Sequence, residues 1–235
     1  MLGNNFLALA ATFALALLWL RFNDYLAHRG WVSSQLSRKI IHAGTGPIFV
    51  LCWLLFTEQL SSRWLAALVP FAITVQFFLI GIGLIRDQAA VDGMSRSGDP
   101  REILKGPLYY GIVFVILTVI YWYDSPIGIT ALMMMCGGDG LADVVGKRIP
   151  SKPIPWSPRK TWLGSATMFL AGWLFSIIIL GIFISSGKLT IPFSSVILPV
   201  TLIAIAATLV ESFPMKDIDN LTVPLVCVAL GHLLF

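Results

Sequence analysis

Charged residues are scarce in this sequence. Asp, Glu, Lys and Arg together make up 12% of the 235 residues, whereas about 25% is usual for a soluble domain. Hydrophobic residues make up 57%, and the mean hydropathy is +0.85. A soluble domain of this length cannot bury so much apolar surface. The composition therefore excludes a sizeable soluble domain and predicts a single membrane domain over residues 1–235.

Two common kinds of site are also missing. The three cysteines, Cys52, Cys136 and Cys227, are too far apart for zinc spacing, and their odd number indicates no disulfide framework. We expect them to be small buried residues of helices. The phosphate loop G-x-x-x-x-G-K-S/T does not occur, which excludes the common soluble nucleotide-binding fold. The basic residues lie in short loops, so membrane topology explains the net charge of +4 better than a nucleic-acid partner.

The sequence contains several long apolar runs. A membrane helix needs about 20 apolar residues, so the sequence predicts an all-α bundle of about seven to eight transmembrane segments. We expect the first segment to be a membrane helix and not a removable signal, because no basic leader or small-residue cleavage site accompanies it. The fifth segment is apolar only to Met135, and we expect it to continue as a polar half-helix. The predicted segments are 5–26, 40–57, 64–85, 107–123, 126–146, 162–184, 193–211 and 221–235.

The positions of the basic residues support this topology. All of the 16 Lys and Arg residues except Arg63 and Lys188 lie in alternate connections, which is the pattern of the positive-inside rule. Eight crossings with both termini outside satisfy it. The connections rich in polar residues, with loops expected at 86–97 and 150–165, then lie on the cytoplasmic side. We therefore expect the chemistry to face the cytoplasm.

One stretch, Cys136–Arg148, places carboxylates directly after an apolar run. Asp139, Asp143 and Lys147 follow each other at intervals of four residues, so a helix projects all three from one face. An ionisable residue at membrane depth is by default a functional-site hypothesis. Magnesium bound to a triphosphate fits two neighbouring carboxylates, since this ion takes one or two carboxylates plus phosphate oxygens. The pattern predicts a metal–nucleotide site.

The glycines of the same stretch leave two interpretations open. Gly138 and Gly140 allow either a phosphate group or a neighbouring helix to come close to the backbone. The alternative to a metal–nucleotide site is a structural salt bridge between helices that pack through glycines.

Residues at other segment ends on the same side can complete the site. Arg38 and Lys39 open the second segment and can bind phosphate, although ordinary positive-inside anchoring also explains them. His42 lies one turn further in, where it can donate to phosphate or orient a hydroxyl group. A core histidine bonded to a backbone carbonyl is the alternative. Lys105, before the fourth segment, can also contact phosphate, and we expect the nearby Tyr110 to lie in the interfacial belt.

Further candidates flank the last three segments. Lys160 precedes Thr161, which can cap the sixth segment and so offer phosphate a helix N-terminus. Glu211 ends the seventh segment, where negative charge is unfavourable for a cap. Asp219 and Asn220 open the last segment. These acid and amide groups can complete a metal shell or hold ribose hydroxyls, and an anchoring basic loop and a helix cap are the alternatives.

Motifs spread over most of the chain resemble the polyprenol kinase family, which includes dolichol, farnesol and phytol kinases. The two N-terminal motifs are most similar to the phytol kinases of cyanobacteria and plastids. The motifs are Arg38–Gly46, Leu104–Gly111, Gly138–Lys147, Lys160–Ser165, Glu211–Pro214 and Asp219–Pro224.

The resemblance implies a CTP-dependent kinase for a long-chain isoprenoid alcohol that enters from the bilayer. The implied reaction is the conversion of phytol to phytyl phosphate, which serves tocopherol synthesis or the salvage of phytol from chlorophyll. A cyanobacterial inner or thylakoid membrane, or a plastid membrane, is the implied location. The expected partners are the alcohol, CTP and membrane lipids, without nucleic acid.

In the expected mechanism, the alcohol attacks the γ-phosphate of CTP in line. Asp139 or His42 accepts the proton, and we favour Asp139. Magnesium is the expected cofactor, held by Asp139 and Asp143 and completed by Glu211 or Asp219.

Three alternatives remain at this point. The acceptor can be farnesol, geranylgeraniol or dolichol. A CTP:lipid-phosphate cytidylyltransferase can use a similar acidic site but releases pyrophosphate. A small-solute or ion transporter can use the two aspartates as an ion site, although such transporters usually show paired broken helices in two repeated halves, and we find no such repeat.

Overall fold

The computed structural model describes residues 3–95, 97–214 and 218–235, and it is a bundle of α-helices. This confirms the predicted all-α membrane fold. The α-helices are α1 (Asn5–His28), α2 (Ser34–Cys52), α3 (Ser61–Gly81), α4 (Gln88–Met94), α5 (Gly106–Tyr121), α6 (Pro126–Met133), α7 (Gly140–Arg148), α8 (Trp162–Ser185), α9 (Phe193–Glu211) and α10 (Asp219–Leu234). A short antiparallel hairpin pairs β1 (Pro153–Ile154) with β2 (Ser157–Thr161).

A helix lies at each of the eight predicted transmembrane positions. Within the described ranges, six helices are long and apolar enough to cross a membrane. The other two predicted segments are α2, which carries polar and basic residues in its first half, and α10, which has 16 residues. The count of eight crossings stays a prediction.

The fifth predicted segment is one continuous central helix, Pro126–Arg148. It consists of α6, a π-helical segment at Met134–Asp139 (the π segment) and α7. The polar continuation expected after Met135 is present as α7, and the π segment joins it to α6 without a break. Such π turns are rare and occur frequently at functional sites. In its most apolar stretch, 83% of the residues are buried, so this helix is the core around which the bundle is built.

Glycines let two neighbouring helices approach the central helix closely. A methyl group added at Gly138 would lie 3.1 Å from the carbonyl oxygen of Met168 on α8. A methyl group added at Gly140 would lie 3.2 Å from the Cα atom of Ala43 on α2. Both glycines are buried, so we interpret them as helix-packing positions, the second of the two possibilities that the sequence left open.

Two connections that the sequence analysis expected to be loops have structure. The segment 86–97 contains α4, and the segment 150–165 contains the β-hairpin. Both lie at the end of the bundle where α2, α5 and α10 begin and α7 and α9 end. The connections that the charge pattern assigned to one side of the membrane therefore meet at one end.

Aromatic side chains close the opposite end of the bundle. The rings of Trp53 and Trp122 stack with their centroids 4.8 Å apart, and Phe56 and Phe183 contact them edge-on. Trp53, Phe56 and Phe183 are fully buried.

Candidate active site

Asp139 ends the π segment and points at α2. It is 7% exposed, and its Oδ2 atom lies 3.5 Å from Nε2 of His42. The same nitrogen lies 3.2 Å from the carbonyl oxygen of Met135. Both neighbours accept hydrogen bonds, so Nε2 of His42 carries a proton and acts as the donor. His42 therefore has no free lone pair at the atom that faces Asp139.

Asp143 lies one turn further along α7 and contacts two lysines. Its Oδ1 atom is 2.6 Å from Nζ of Lys147, as the spacing of four residues predicts. Its Oδ2 atom is 3.2 Å from Nζ of Lys39. Lys39 thus joins the start of α2 to the face of α7 that carries the carboxylates.

Tyr110 is a site residue that the sequence analysis assigned wrongly. Its hydroxyl group donates to the backbone oxygen of His42 at 2.8 Å and lies 3.1 Å from Sγ of Cys136. The rings of Tyr110 and His42 are 4.4 Å apart. Tyr110 therefore supports His42 inside the bundle and does not lie in an interfacial belt. A tyrosine just before an apolar run gives the same sequence signal in either place.

The β-hairpin brings Lys160 to Glu211 at the end of α9. The two side chains form an ion pair, and Glu211 is 4% exposed. Burial opposes the charge of Lys160, but the nearby carboxylates of Glu211, Asp139 and Asp219 outweigh it and raise the pKa of the ammonium group. Lys160 is therefore positively charged near neutral pH. The observed partner of Glu211 is this ammonium group, and its role as a metal ligand stays a prediction.

Removing the charge of Lys160 should destabilise the protein. Lys160→Met leaves the buried carboxylate of Glu211 without a partner, and we expect a loss of roughly 3 kcal/mol in the free energy of unfolding, as for other broken buried pairs. The double variant Lys160→Met/Glu211→Leu should recover most of this loss. Thermal unfolding of the purified variants in detergent measures both effects.

The pH dependence of this stabilisation has a definite sign. The folded-state pKa of Lys160 is raised, so the contribution is complete below the unfolded value of about 10.4 and disappears as the pH rises through the folded value. The charge of Lys160 itself therefore adds no pH dependence to the deficit across the neutral range. A single variant as stable as the wild type would show that the pair is not buried as described.

The start of α10 is tied to the start of α5. Nδ2 of Asn220 donates to the carbonyl oxygen of Gly106 at 3.0 Å, and Oδ1 of Asp219 accepts from the backbone nitrogen of Asn220 at 3.0 Å. Thr161, on the neighbouring hairpin, caps α8 as predicted, because its Oγ1 atom accepts from the nitrogen of Gly164 at 3.1 Å.

A cavity of about 250 Å³ runs between α1, α2, α3 and α5, and we call it the apolar cavity. Most of its lining is hydrophobic. At one end it reaches the polar side chains Arg38, Lys39, His42, Lys105, Asp139 and Asp219, with Asn220 beside them. Toward the other end it is lined by Thr12, Ala16, Phe49, Cys52, Val69 and Phe114.

A second space of about 470 Å³ lies between α2, α4 and α7, and we call it the polar cleft. Its lining includes Gln35, Asp92, Asp143, Lys147 and Arg148. Arg38 and Lys39 line both spaces. The apolar cavity and the polar cleft therefore meet at the start of α2, next to the two aspartates of the central helix.

The predicted metal ligands do not form a closed metal site. Over the parts of the chain that the structure describes, no group of three or more His, Cys, Asp and Glu side chains is arranged to hold a metal ion. Asp139 and Asp143 offer carboxylate oxygens one turn apart. Such a donor set suits an ion like magnesium that keeps waters or phosphate oxygens in its shell.

The close contact at Gly140 gives a test of the geometry. A Cβ atom there would lie 3.1 Å from the His42 ring and 3.0 Å from Cβ of Ala43, so Gly140→Ala requires the His42 ring and α2 to shift by a few tenths of an ångström. We expect turnover to fall by roughly tenfold, because a misplacement of about 1 Å can already cost a catalytic site about 100-fold. The matched control is Gly181→Ala on α8, where the new methyl group meets only the half-exposed ring of Phe193. Equal activity of the two variants would contradict the prediction.

Comparison with known proteins gives relatives over nearly the whole chain. The sequence is 40% identical to "Probable phytol kinase, chloroplastic" of Triticum aestivum over 235 residues, which cover 99% of this chain and 77% of that protein. It is 35% identical to "Phytol kinase 1, chloroplastic" of Arabidopsis thaliana, over 99% of this chain and 76% of the relative. It is 39% identical to "Probable phytol kinase, chloroplastic" of Zea mays, over 92% of this chain and 72% of that protein. No family model matches the sequence, and no solved structure is significantly similar.

Proposed function

The chain belongs to the phytol kinase family, and from this premise we propose that it transfers the γ-phosphoryl group of CTP to the hydroxyl group of phytol. The observation that carries the proposal is the meeting of the apolar cavity with the polar cleft at Arg38 and Lys39. A long hydrocarbon and a polyphosphate need opposite surroundings, and their reacting ends must meet. This arrangement supplies both.

The apolar cavity accommodates the isoprenoid chain of the acceptor. Its hydrophobic lining continues along α2 from His42 to Cys52, a distance of about 15 Å at 1.5 Å per residue. The hydroxyl group then lies at the polar end, beside His42 and Asp139. Burial of the branched hydrocarbon supplies the binding energy.

The polar cleft accommodates the nucleotide. Lys39 and Lys147 attract the phosphates, and Arg38 adds a third positive charge where the cleft meets the apolar cavity. Gln35 and Asp92 offer hydrogen-bonding groups to the ribose and the base. The choice of CTP over other nucleotides rests on the resemblance to polyprenol kinases.

Magnesium fits the carboxylates of the site. Asp139 and Asp143 would hold the ion, and Asp219 is the next carboxylate along the apolar cavity. Magnesium would supply positive charge that neutralises the phosphate oxygens during transfer. The positive charge of Lys160 lies near enough to act on the same region, since it interacts electrostatically with both Asp139 and Asp219.

Asp139 accepts the proton of the acceptor. The alcohol oxygen forms a bond to the γ-phosphorus, the bond from that phosphorus to the oxygen bridging to the β-phosphate breaks, and CDP leaves. The hydroxyl proton moves to Asp139, because the Nε2 atom of His42 already carries a proton and donates. His42 orients the carboxylate, so the protein acts mostly through positioning and electrostatics.

The site end of the bundle faces the cytoplasm in this proposal. Its basic connections follow the positive-inside rule, and nucleotides are available on that side. Phytyl phosphate made there would serve tocopherol synthesis or the reuse of phytol from chlorophyll.

Purified protein with γ-labelled CTP, magnesium and phytol tests the proposed function. Label should appear in a lipid-soluble phosphate. In a parallel reaction with phytyl phosphate as the acceptor, release of label as pyrophosphate would instead indicate a cytidylyltransferase. Parallel reactions with UTP, ATP and GTP test the donor. Asp139→Asn protein from the same preparation procedure controls for contaminating kinases. Failure to label phytol with any nucleotide would overturn the proposal.

A further inference from the structure

We propose that the depth of the apolar cavity sets the chain length of the alcohol acceptor, with Ala16 and Cys52 as specificity-determining residues at two different depths. This inference rests on the proposed function, because it places the acceptor's hydrocarbon chain in this cavity. Three observations support it. One face of α1 lines the cavity, contacts between helices show how deep each lining residue lies, and aromatic rings close the far end.

One face of α1 lines the apolar cavity. Thr12, Ala16, Trp19 and Leu20 are the lining residues of this helix, and their spacing of three and four residues puts them on a single face. Ala14, between them in sequence, is exposed on another face of the helix. Ala16 has the smallest side chain of these four lining residues, so it leaves space in the middle of the cavity.

Contacts between α1 and α2 show how deep each lining residue lies along the cavity. Nε1 of Trp19 reaches the carbonyl oxygen of Ile41 at 3.5 Å, so Trp19 is level with the polar end. The side chains of Thr12 and Cys52 contact each other, so Thr12 marks the far end. Ala16 is one helical turn from Thr12, about 6 Å, and it lies between these two levels.

The far end of the apolar cavity is closed. Cys52 is 4% exposed, and the next residue, Trp53, belongs to the aromatic cluster at the outer end of the bundle. The ring of Phe49 lies 6.0 Å from that of Trp53 and 5.6 Å from that of Phe114. A hydrocarbon chain that starts at His42 therefore ends against aromatic rings near Cys52.

A side chain that fills the cavity at a given level should exclude acceptors that extend past that level. Cys52→Phe fills the far end and should reject phytol and geranylgeraniol while it still accepts farnesol, which is one isoprene unit shorter. Ala16→Phe fills the middle and should reject farnesol as well, which leaves geraniol. A hydrophobic pocket discriminates a missing or extra carbon by roughly tenfold or more. We therefore expect the ratio of kcat/KM for the rejected acceptor to kcat/KM for the next shorter acceptor to fall by at least that factor.

The experiment measures kcat/KM for phytol, farnesol and geraniol with wild type, Cys52→Phe, Ala16→Phe and the matched control Ala14→Phe, each checked by thermal unfolding. The expected result is a stepwise shift toward shorter acceptors, with Ala14→Phe equal to wild type. If Cys52→Phe does not fold, the comparison of Ala16→Phe with Ala14→Phe decides alone. Identical acceptor profiles for those two variants would overturn the inference while the kinase activity stands. A wild type that phosphorylates none of the alcohols would overturn the proposed function itself.

Discussion

Replacing Asp139 by asparagine is expected to lower the turnover of phytol phosphorylation by roughly 10²–10⁴-fold, the range that a positioned general base contributes. Asparagine keeps the size and the hydrogen bond from His42 but cannot take the hydroxyl proton. It also removes a negative charge that would help to hold magnesium. Initial rates with purified protein, saturating CTP and phytol measure the effect.

Asp124→Asn is the matched control for the loss of a carboxylate. Asp124 pairs with Arg63 at the opposite end of the bundle, so its replacement should leave turnover unchanged. Thermal unfolding of both variants separates a catalytic defect from a folding defect. A folded Asp139→Asn protein with near-normal turnover would contradict the assigned role of Asp139.

Replacing Lys39 by methionine should lower kcat/KM for the nucleotide by roughly 10²–10³-fold, as the loss of one donor to a transition-state oxyanion does. Lys39 lines both the apolar cavity and the polar cleft, and its ammonium group reaches Asp143. Methionine keeps the hydrocarbon stem and loses only the charge. The rate as a function of CTP concentration measures the effect.

Lys152→Met provides the comparison for Lys39. Lys152 is exposed beside the β-hairpin and lines neither the apolar cavity nor the polar cleft, so the same substitution there should leave kcat/KM unchanged. An equal decrease in both variants would show that overall positive charge, and not contact with phosphate, attracts the nucleotide.

The sequence predicts the parts of this protein that depend on local pattern. Apolar runs of sufficient length place the helices, and the four-residue spacing predicts the contact of Asp143 with Lys147. The alternation of basic connections predicts that His42, Asp139 and Asn220, far apart in the chain, meet at one end of the bundle. Each of these features follows from the periodicity of the sequence or from the side of the membrane on which a connection lies.

The remaining features depend on contacts between distant helices, which no local pattern encodes. The π segment forms where Gly138 packs on α8 and Gly140 packs on α2, and a run of glycines alone does not distinguish a wide turn from a break. The pair of Lys160 with Glu211 requires the fold of the β-hairpin, whose strands are too short to show an alternating pattern.

The central helix also has to enter the bilayer. Its mean hydropathy of 1.3 is the lowest among the six apolar helices that the structure describes, where the others range from 1.7 to 2.4. Carboxylates at membrane depth make insertion of an isolated segment unfavourable. We therefore expect this helix to leave the translocation machinery together with neighbouring helices, above all α2 and α8, which cover its glycines. The polar residues that serve the proposed reaction therefore make membrane insertion of this helix dependent on other helices of the same chain.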